Sequence, residues 1–184
     1  MNKHIVIVLL FIPLLGSAQQ QDYLVLHEGD TLYGKYINRN SINKTIHFRT
    51  DRGTIKLPTT DVKEFYWKSS KHRVYKDPCE SGMSAYRVLI EGSVSFLHSG
   101  GREDYCPDLI LINDEIYPFK RRDHFSKEAW SRLSKCTAFE EKYTAYYNEH
   151  RNQTIVWEWT YRKSRTKWLE MIRYFNANCG KTIQ

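Results

Sequence analysis

The chain has 184 residues, of which 41% are hydrophobic and 14% aromatic, and its formal net charge is +7 at pH 7 with histidine neutral. This composition excludes an unfolded, highly charged chain and suffices for the core of one domain. The mildly basic balance does not by itself indicate a nucleic-acid-binding protein.

Residues 1–18 have the pattern of a secretory signal peptide. Lys3 precedes an apolar run over residues 5–15, and the small residues 16–18 fit the cleavage site that a signal peptidase reads. A membrane-spanning helix needs roughly 20 apolar residues, so a retained anchor is the less favoured alternative. We therefore predict cleavage near Ala18, a periplasmic or extracellular protein, and no membrane-spanning segment in the mature chain.

Four cysteines follow this leader, at Cys79, Cys106, Cys136 and Cys179. In an exported protein an even number of cysteines favours disulfides over free thiols. Of the three possible connectivities we predict the local one, Cys79–Cys106 and Cys136–Cys179. No Cys-x-x-Cys pair is present, and we predict no metal and no cofactor.

Short strands joined by turns are predicted over residues 19–122. Residues 23–36 form the first hairpin, because Gly29 can take the positive φ of a tight turn and Asp30 can bond back to that turn. The pattern of short apolar and aromatic runs predicts further strands at 44–49, 54–57, 65–67, 72–76, 84–90, 94–98, 108–112 and 115–119.

Some finer features follow from the same pattern. Tyr86, Val88 and Ile90 stand at every second position, so we expect them on one face of their strand. Asp61 precedes Glu64 by three residues, a spacing that predicts a cap opening a short helical turn.

Helical spacing replaces the strand pattern over residues 123–184. Thr137 and Glu140 form a predicted capping box that opens a helix running to about residue 150. A further helix ends at residues 178–180, and the period of residues 154–161 fits either a strand or the start of this helix; we favour the helix. Its predicted apolar face consists of Trp168, Met171, Ile172 and Phe175.

The predicted fold class is therefore α+β, with an N-terminal antiparallel β meander followed by a C-terminal helical segment. The meander curls into an open barrel or packs as two sheets. No low-complexity linker separates residues 19–122 from residues 123–184, so we expect the helices to pack on the sheet as one unit.

The run Gly-Asp-Thr-Leu-Tyr-Gly-Lys at residues 29–35 resembles a group of uncharacterised exported proteins of Bacteroidota bacteria. Two further features share the resemblance: an aspartate-led turn at residues 61–63, and Tyr174, Phe175 and Asn176 ahead of Cys179. The resemblance implies secretion and a β-rich fold. It implies no catalytic residues.

Histidines next to carboxylates are the candidates for catalysis. They occur as His27 with Glu28, as His98 with Glu103 and Asp104, and as Asp123 with His124. None has the spacing of a known catalytic or metal-binding motif, so we favour structural or solvent-exposed roles for these histidines.

A basic and aromatic segment near the start of the last helix is the candidate binding patch, because cations and ring faces together can hold anionic polymers. The alternative is an amphipathic helix with core aromatics and a solvated basic face, which we favour. The candidate patch consists of Arg162, Lys163, Arg165, Lys167, Trp157 and Trp168.

The sequence thus favours a secreted or periplasmic binding or structural module of unknown ligand. An anionic glycan, a membrane surface or an envelope protein are the expected partners, and export argues against nucleic acid. The alternative is a secreted hydrolase with a site at the junction of sheet and helices.

Overall fold

The structure is a computed structural model that describes residues 21–40, 44–78, 82–99, 107–119, 127–151 and 158–180. The predicted signal peptide, the predicted Cys79–Cys106 disulfide and Trp157 lie outside the described residues. They stay predictions.

The described residues form one ten-stranded antiparallel sheet followed by three α-helices, which confirms the predicted α+β class. A single 3-10 turn, Thr59–Asp61, precedes the fifth strand. The strands are β1 (Asp22–Leu26), β2 (Thr31–Asn40), β3 (Thr45–Thr50), β4 (Gly53–Pro58), β5 (Val62–Trp67), β6 (Ser70–Lys76), β7 (Met83–Ile90), β8 (Val94–His98), β9 (Asp108–Ile112) and β10 (Glu115–Phe119). The helices are α1 (Lys127–Leu133), α2 (Thr137–His150) and α3 (Glu158–Asn178).

The strand order is β10-β9-β8-β7-β6-β5-β1-β2-β3-β4, an open sheet rather than a closed barrel. The order departs from a simple meander at β1, which pairs with β2 on one side and with β5 on the other. The reason is visible at Leu24, which is fully buried and lies opposite both Leu32 and Phe65. A central strand with an apolar residue between two apolar neighbours is well placed inside the sheet.

The strands from β1 to β6 curl around their own apolar face. We call this cluster the N-terminal core, and its fully or nearly fully buried members are Leu24, Tyr36, Ile46, Phe48, Val62, Phe65 and Val74. The curl brings β2 within reach of β7, since Nη2 of Arg39 donates a hydrogen bond of 2.8 Å to the carbonyl oxygen of Met83. We call the enclosed side of the sheet its inner face.

The strands from β7 to β10 are covered on the inner face by the helices. The helix-covered core contains Ile90, Val94, Phe96, Ile110, Ile112, Phe119, Trp130, Leu133, Phe139, Trp168, Met171, Ile172 and Phe175, among others. On the opposite face Tyr86, Leu97, Leu109 and Leu111 form a smaller buried cluster. Strands β8 and β9 are therefore buried on both faces.

Two contacts fix helix α3 on the sheet and on its neighbouring helices. The side-chain amide of Asn176 donates to the carbonyl oxygen of Val94 at 2.8 Å and accepts from the Val94 amide at 2.9 Å. The predicted disulfide Cys136–Cys179 is present and joins the start of α2 to the end of α3. Asn176, in the Tyr174-Phe175-Asn176 element before Cys179, thus has a structural role, because it attaches helix α3 to the sheet.

The glycines of the segment 29–35 are also explained by structure. Gly29 takes a φ of 99° in the β1–β2 turn, as predicted. Gly34 has no room for a side chain, because a Cβ atom there would lie 2.0 Å from the carbonyl oxygen of Arg49 on β3.

Three local predictions were wrong in detail. The helical turn ends at Asp61 rather than beginning there, because the chain is already extended at Val62. Cys136 occupies the N-cap position of helix α2 without a side-chain capping bond, and Thr137 is the first residue of the helix. A register shift between Val88 and Ile90 turns Ile90 to the inner face while Val88 stays on the outer face.

Of the segment 154–161, residues 158–161 are helical, which agrees with the favoured interpretation, and residues 154–157 lie outside the described residues. None of the described helices is both long enough and apolar enough to cross a membrane.

Candidate functional site

A cavity of about 520 Å³ opens on the inner face where the N-terminal core and the helix-covered core meet. We call it the seam cavity. Its volume lies within the range of small-molecule sites, roughly 300–1,000 Å³. It is lined by Tyr36, Arg39, Phe65, Trp67, His72, Asp77, Ser84, Ala85, Tyr86, Arg87, His98 and Ser99.

Strand register explains why these distant residues meet. Phe65 on β5 lies opposite His72 on β6, His72 lies opposite Arg87 on β7, and Arg87 lies opposite His98 on β8. Directly opposite residues point to the same face of a sheet, so these four side chains form one row across the inner face. The row changes from apolar at Phe65 to polar at Arg87 and His98 as it leaves the N-terminal core.

One wall of the seam cavity is aromatic. The ring centroids of Phe65 and His72 are 4.9 Å apart with nearly parallel planes, and Tyr36 stacks on the same Phe65 at 4.9 Å. Trp67 is tilted against Tyr36 at 5.0 Å and against His72 at 6.0 Å. Phe65 and Tyr36 are buried, whereas Trp67 and His72 are half-buried and present ring surface to the cavity.

The opposite side is polar and carries both signs of charge. Arg39 is held through Nη2 by Met83, and its buried Nε has no hydrogen-bond acceptor among the described residues. Asp77 is 5% exposed and accepts a hydrogen bond of 2.5 Å from the hydroxyl of Ser84. The Arg87 side chain is exposed and lies between the two histidines of the row.

His98 meets a carboxylate at the helix side of the seam cavity. Its Nδ1 lies 2.9 Å from Oδ1 of the fully buried Asp108, so the tautomer with a proton on Nδ1 donates to that oxygen. The same oxygen accepts from the Ser99 amide at 3.0 Å. Nη1 of Arg165 lies 3.2 Å from the same Nδ1, and because that nitrogen carries a proton in this tautomer, the contact places a guanidinium of helix α3 beside the His98–Asp108 pair without a hydrogen bond to the ring.

Burial changes the acid–base properties of the aromatic wall. It lowers the pKa of His72 below its ordinary value, and the nearby positive charge of Arg87 lowers this pKa further, while a hydrogen bond to the Ser70 carbonyl oxygen acts in the opposite direction. At neutral pH the His72 ring is therefore uncharged and packs as an aromatic residue. Burial also raises the pKa of Tyr36 to about 12.

The described residues of the candidate patch on the last helix have different surroundings. Arg162 and Lys163 are exposed, whereas Arg165 turns inward to His98. Lys167 pairs with Glu170 at 2.9 Å. Trp168 is fully buried beside Phe119, so its ring belongs to the core and cannot stack on a ligand.

The histidine–carboxylate candidates are placed as follows. His27 and Glu28 are exposed at the β1–β2 turn, where the His27 amide bonds the Asp61 carbonyl oxygen at 3.0 Å. The positions 103, 104, 123 and 124 lie outside the described residues. His98 does meet a carboxylate, but the partner found here is Asp108, which sequence reasoning did not pair with it.

Within the described ranges, no group of three or more histidine, cysteine, aspartate or glutamate side chains is arranged to hold a metal ion. Comparisons with protein-family models, curated proteins and solved structures find no match to the chain. The site is therefore interpreted from its own geometry.

Proposed function

We propose that the protein is an exported binding module, secreted or periplasmic, whose ligand occupies the seam cavity. The observation that carries the proposal is a single cavity that combines half-buried rings with arginines. Large aromatic surfaces together with a few placed polar groups are the usual composition of small-molecule sites. Export is supported by the signal-peptide pattern of residues 1–18.

The position of the seam cavity supports the same proposal. The two cores hold most of the large buried apolar side chains, and the cavity is lined by Tyr36 and Phe65 of the N-terminal core and by His98 at the end of β8, next to the helix-covered core. A buried guanidinium nitrogen without an acceptor destabilises a fold, by about 1–3 kcal/mol for a typical donor. The Nε of Arg39 is such a donor, and a bound acceptor would satisfy it.

The test is a fluorescence titration with 1-anilinonaphthalene-8-sulfonate, a probe with flat rings and one negative charge. We expect one saturable site in the folded protein. Ala85→Trp fills the cavity and should abolish this binding, whereas Ala145→Trp places the same side chain on the exposed surface of α2 and should leave it unchanged.

A second pair of variants avoids changes to the core. Arg87→Gln should weaken the probe by about fivefold or more, because a charge-assisted contact is lost. Arg49→Gln removes another exposed arginine, on the outer face, and serves as the control. Binding that is the same in all four variants would refute the seam cavity as the ligand site.

A secreted hydrolase is the second candidate function, and the pairing of His98 with Asp108 favours it, since a carboxylate that holds a histidine is part of many hydrolytic sites. The neighbouring hydroxyl of Ser99 donates a hydrogen bond of 3.4 Å to Asp108, whereas an activated nucleophile donates to its general base. Hydrolysis of p-nitrophenyl acetate that is lost in His98→Gln, with folding intact, would favour the hydrolase. Hydrolysis no faster than in buffer alone would refute the hydrolase and leave the binding module as the proposed function.

A further inference from the structure

The lining of the seam cavity is more polar than a site for an oily ligand requires. Seven of its twelve lining residues are polar or charged, namely Arg39, His72, Asp77, Ser84, Arg87, His98 and Ser99. An apolar ligand would strip water from these groups without replacing its hydrogen bonds, which costs free energy for each group. A fitting ligand therefore carries several hydrogen-bonding groups of its own.

The charges of the lining favour a negative group on that ligand. The lining contains two arginines, Arg39 and Arg87, but only one carboxylate, that of Asp77. The lowered pKa of His72 keeps its ring neutral, so it does not change this balance. Lys68 adds a cation beside the aromatic wall, with its Nζ 4.6 Å from the centre of the Trp67 ring. Guanidinium groups bind carboxylate and other oxyanions through strong charge-assisted hydrogen bonds.

The aromatic wall and the acidic side chain add two further requirements. The half-buried rings of Trp67 and His72 offer a flat surface on which a ring with C–H groups can pack. The Ser84 hydroxyl donates its proton to Asp77, so the two side chains together offer acceptor oxygens at one place. Ligand hydroxyl groups can donate to these oxygens, whereas an ionised aromatic acid without hydroxyl groups has no donor for them.

From these three features together we infer that the seam cavity binds an acidic sugar, a pyranose ring that bears a carboxylate or sulfate group. The ring packs on Trp67, the anionic group pairs with Arg39 and Arg87, and the hydroxyl groups meet Asp77 and Ser84. This inference rests on the proposed function, because it names the ligand class of the same site.

Isothermal titration calorimetry with three matched probes separates the contribution of the sugar ring to the affinity from the contribution of the negative charge. Trigalacturonate carries sugar rings and carboxylates, its fully methyl-esterified form keeps the rings without the charge, and tricarballylate keeps three carboxylates without a ring. We expect trigalacturonate to bind at least about tenfold more tightly than either of the others. Galactose 6-sulfate compared with galacturonate then tells a sulfated sugar from a carboxylated one, and preferential binding of either supports the inference.

Variants locate the anionic contact. Arg87→Gln should weaken trigalacturonate by about fivefold or more and leave the methyl ester unchanged, while Arg49→Gln on the outer face should change neither. Arg39→Met tests the buried guanidinium in the same way, and a urea titration of each variant confirms folding.

The outcomes distinguish the inference from the proposed function. If the methyl ester or tricarballylate binds as tightly as trigalacturonate, or if no sugar binds while the anilinonaphthalene probe still occupies the cavity, the acidic sugar is refuted and the binding module stands. If the anilinonaphthalene probe is also insensitive to Ala85→Trp and Arg87→Gln, the binding module is refuted as well.

Discussion

The two halves of the sheet are stabilised in different ways. The strands from β1 to β6 curl until their own side chains meet, and no residue of the described α-helices belongs to the N-terminal core. The strands from β7 to β10 lie under α1, α2 and α3, and the Cys136–Cys179 disulfide joins two of those helices. The core of the first half is enclosed by the curvature of the sheet, and the core of the second half is enclosed by the layer of helices.

This difference explains where the seam cavity lies. The curl around the N-terminal core extends as far as β7, where Arg39 reaches the backbone of Met83. The helix cover begins with α3, where Arg165 reaches His98 on β8. Between these two contacts neither the curl nor a described helix covers the inner face, so Arg87 in the cross-strand row stays exposed.

Removal of the disulfide should have the largest effect on stability, and it acts on the helix-covered half. The double variant Cys136→Ser, Cys179→Ser releases a loop with a sequence separation of 43 residues. On the chain-entropy description this should lower the free energy of unfolding by about 3–4 kcal/mol. Urea denaturation measures the change, and a loss of less than about 1 kcal/mol would show that packing alone holds the helices.

The matching change in the curled half is Gly34→Ala. A Cβ atom 2.0 Å from the Arg49 carbonyl oxygen forces β2 and β3 apart, so we expect a loss of about 3 kcal/mol in the same urea experiment. Gly29→Ala is the control, because nothing lies within 4 Å of its Cβ position and only its positive φ opposes the change. Equal losses in the two variants would mean that the close approach of β3 is not important.

Asn176→Leu tests the contact between α3 and β8. It leaves the amide and the carbonyl oxygen of Val94 without their side-chain partner, and we expect a loss of about 2 kcal/mol. Asn178→Leu, on the exposed side of the same helix, removes only a bond to the Tyr174 carbonyl oxygen and should cost much less. Thermal unfolding of both variants gives the comparison, and the reverse order of stability would contradict it.

The smallest expected effect on stability is a pH dependence that arises from His72 in the lining of the seam cavity. Burial lowers the pKa of His72 in the folded chain, so the unfolded chain takes up a proton first as the pH falls below about 6.5. The free energy of unfolding should therefore decrease as the pH falls from about 6.5 towards the lowered pKa. His72→Phe keeps a ring beside Phe65 and should reduce this slope, which urea titrations between pH 4 and 8 would detect as a shallower curve.

Local pattern was sufficient to predict most elements. The alternation of Val94, Phe96 and His98 and the turn at Asn113 and Asp114 predict β8 and the β9–β10 hairpin, and the structure confirms them. The buried face of α3 was predicted from its helical spacing. Such features depend on residues that are close in the sequence, within one helical turn or one strand, so the sequence pattern is sufficient to predict them.

The seam cavity depends on information of another kind. Phe65, His72, Arg87 and His98 become neighbours only through the register of four strands, and no sequence spacing records that register. Asp108 was predicted as a strand residue, but its contact with His98 requires that β8 and β9 be adjacent in the sheet. Trp168 is of a residue type that often binds ligands, and only the packing of α3 on the sheet shows that its ring lies in the core.

The most direct test of the seam cavity as the ligand site is an amide chemical-shift map of the isotope-labelled protein titrated with 1-anilinonaphthalene-8-sulfonate. We predict that the largest shifts occur on the inner face, at Arg39, Trp67, Ala85 and Arg87. Largest shifts at Arg162 and Lys163 on the exposed side of α3, with the inner face unchanged, would contradict this prediction and return the binding site to the helix.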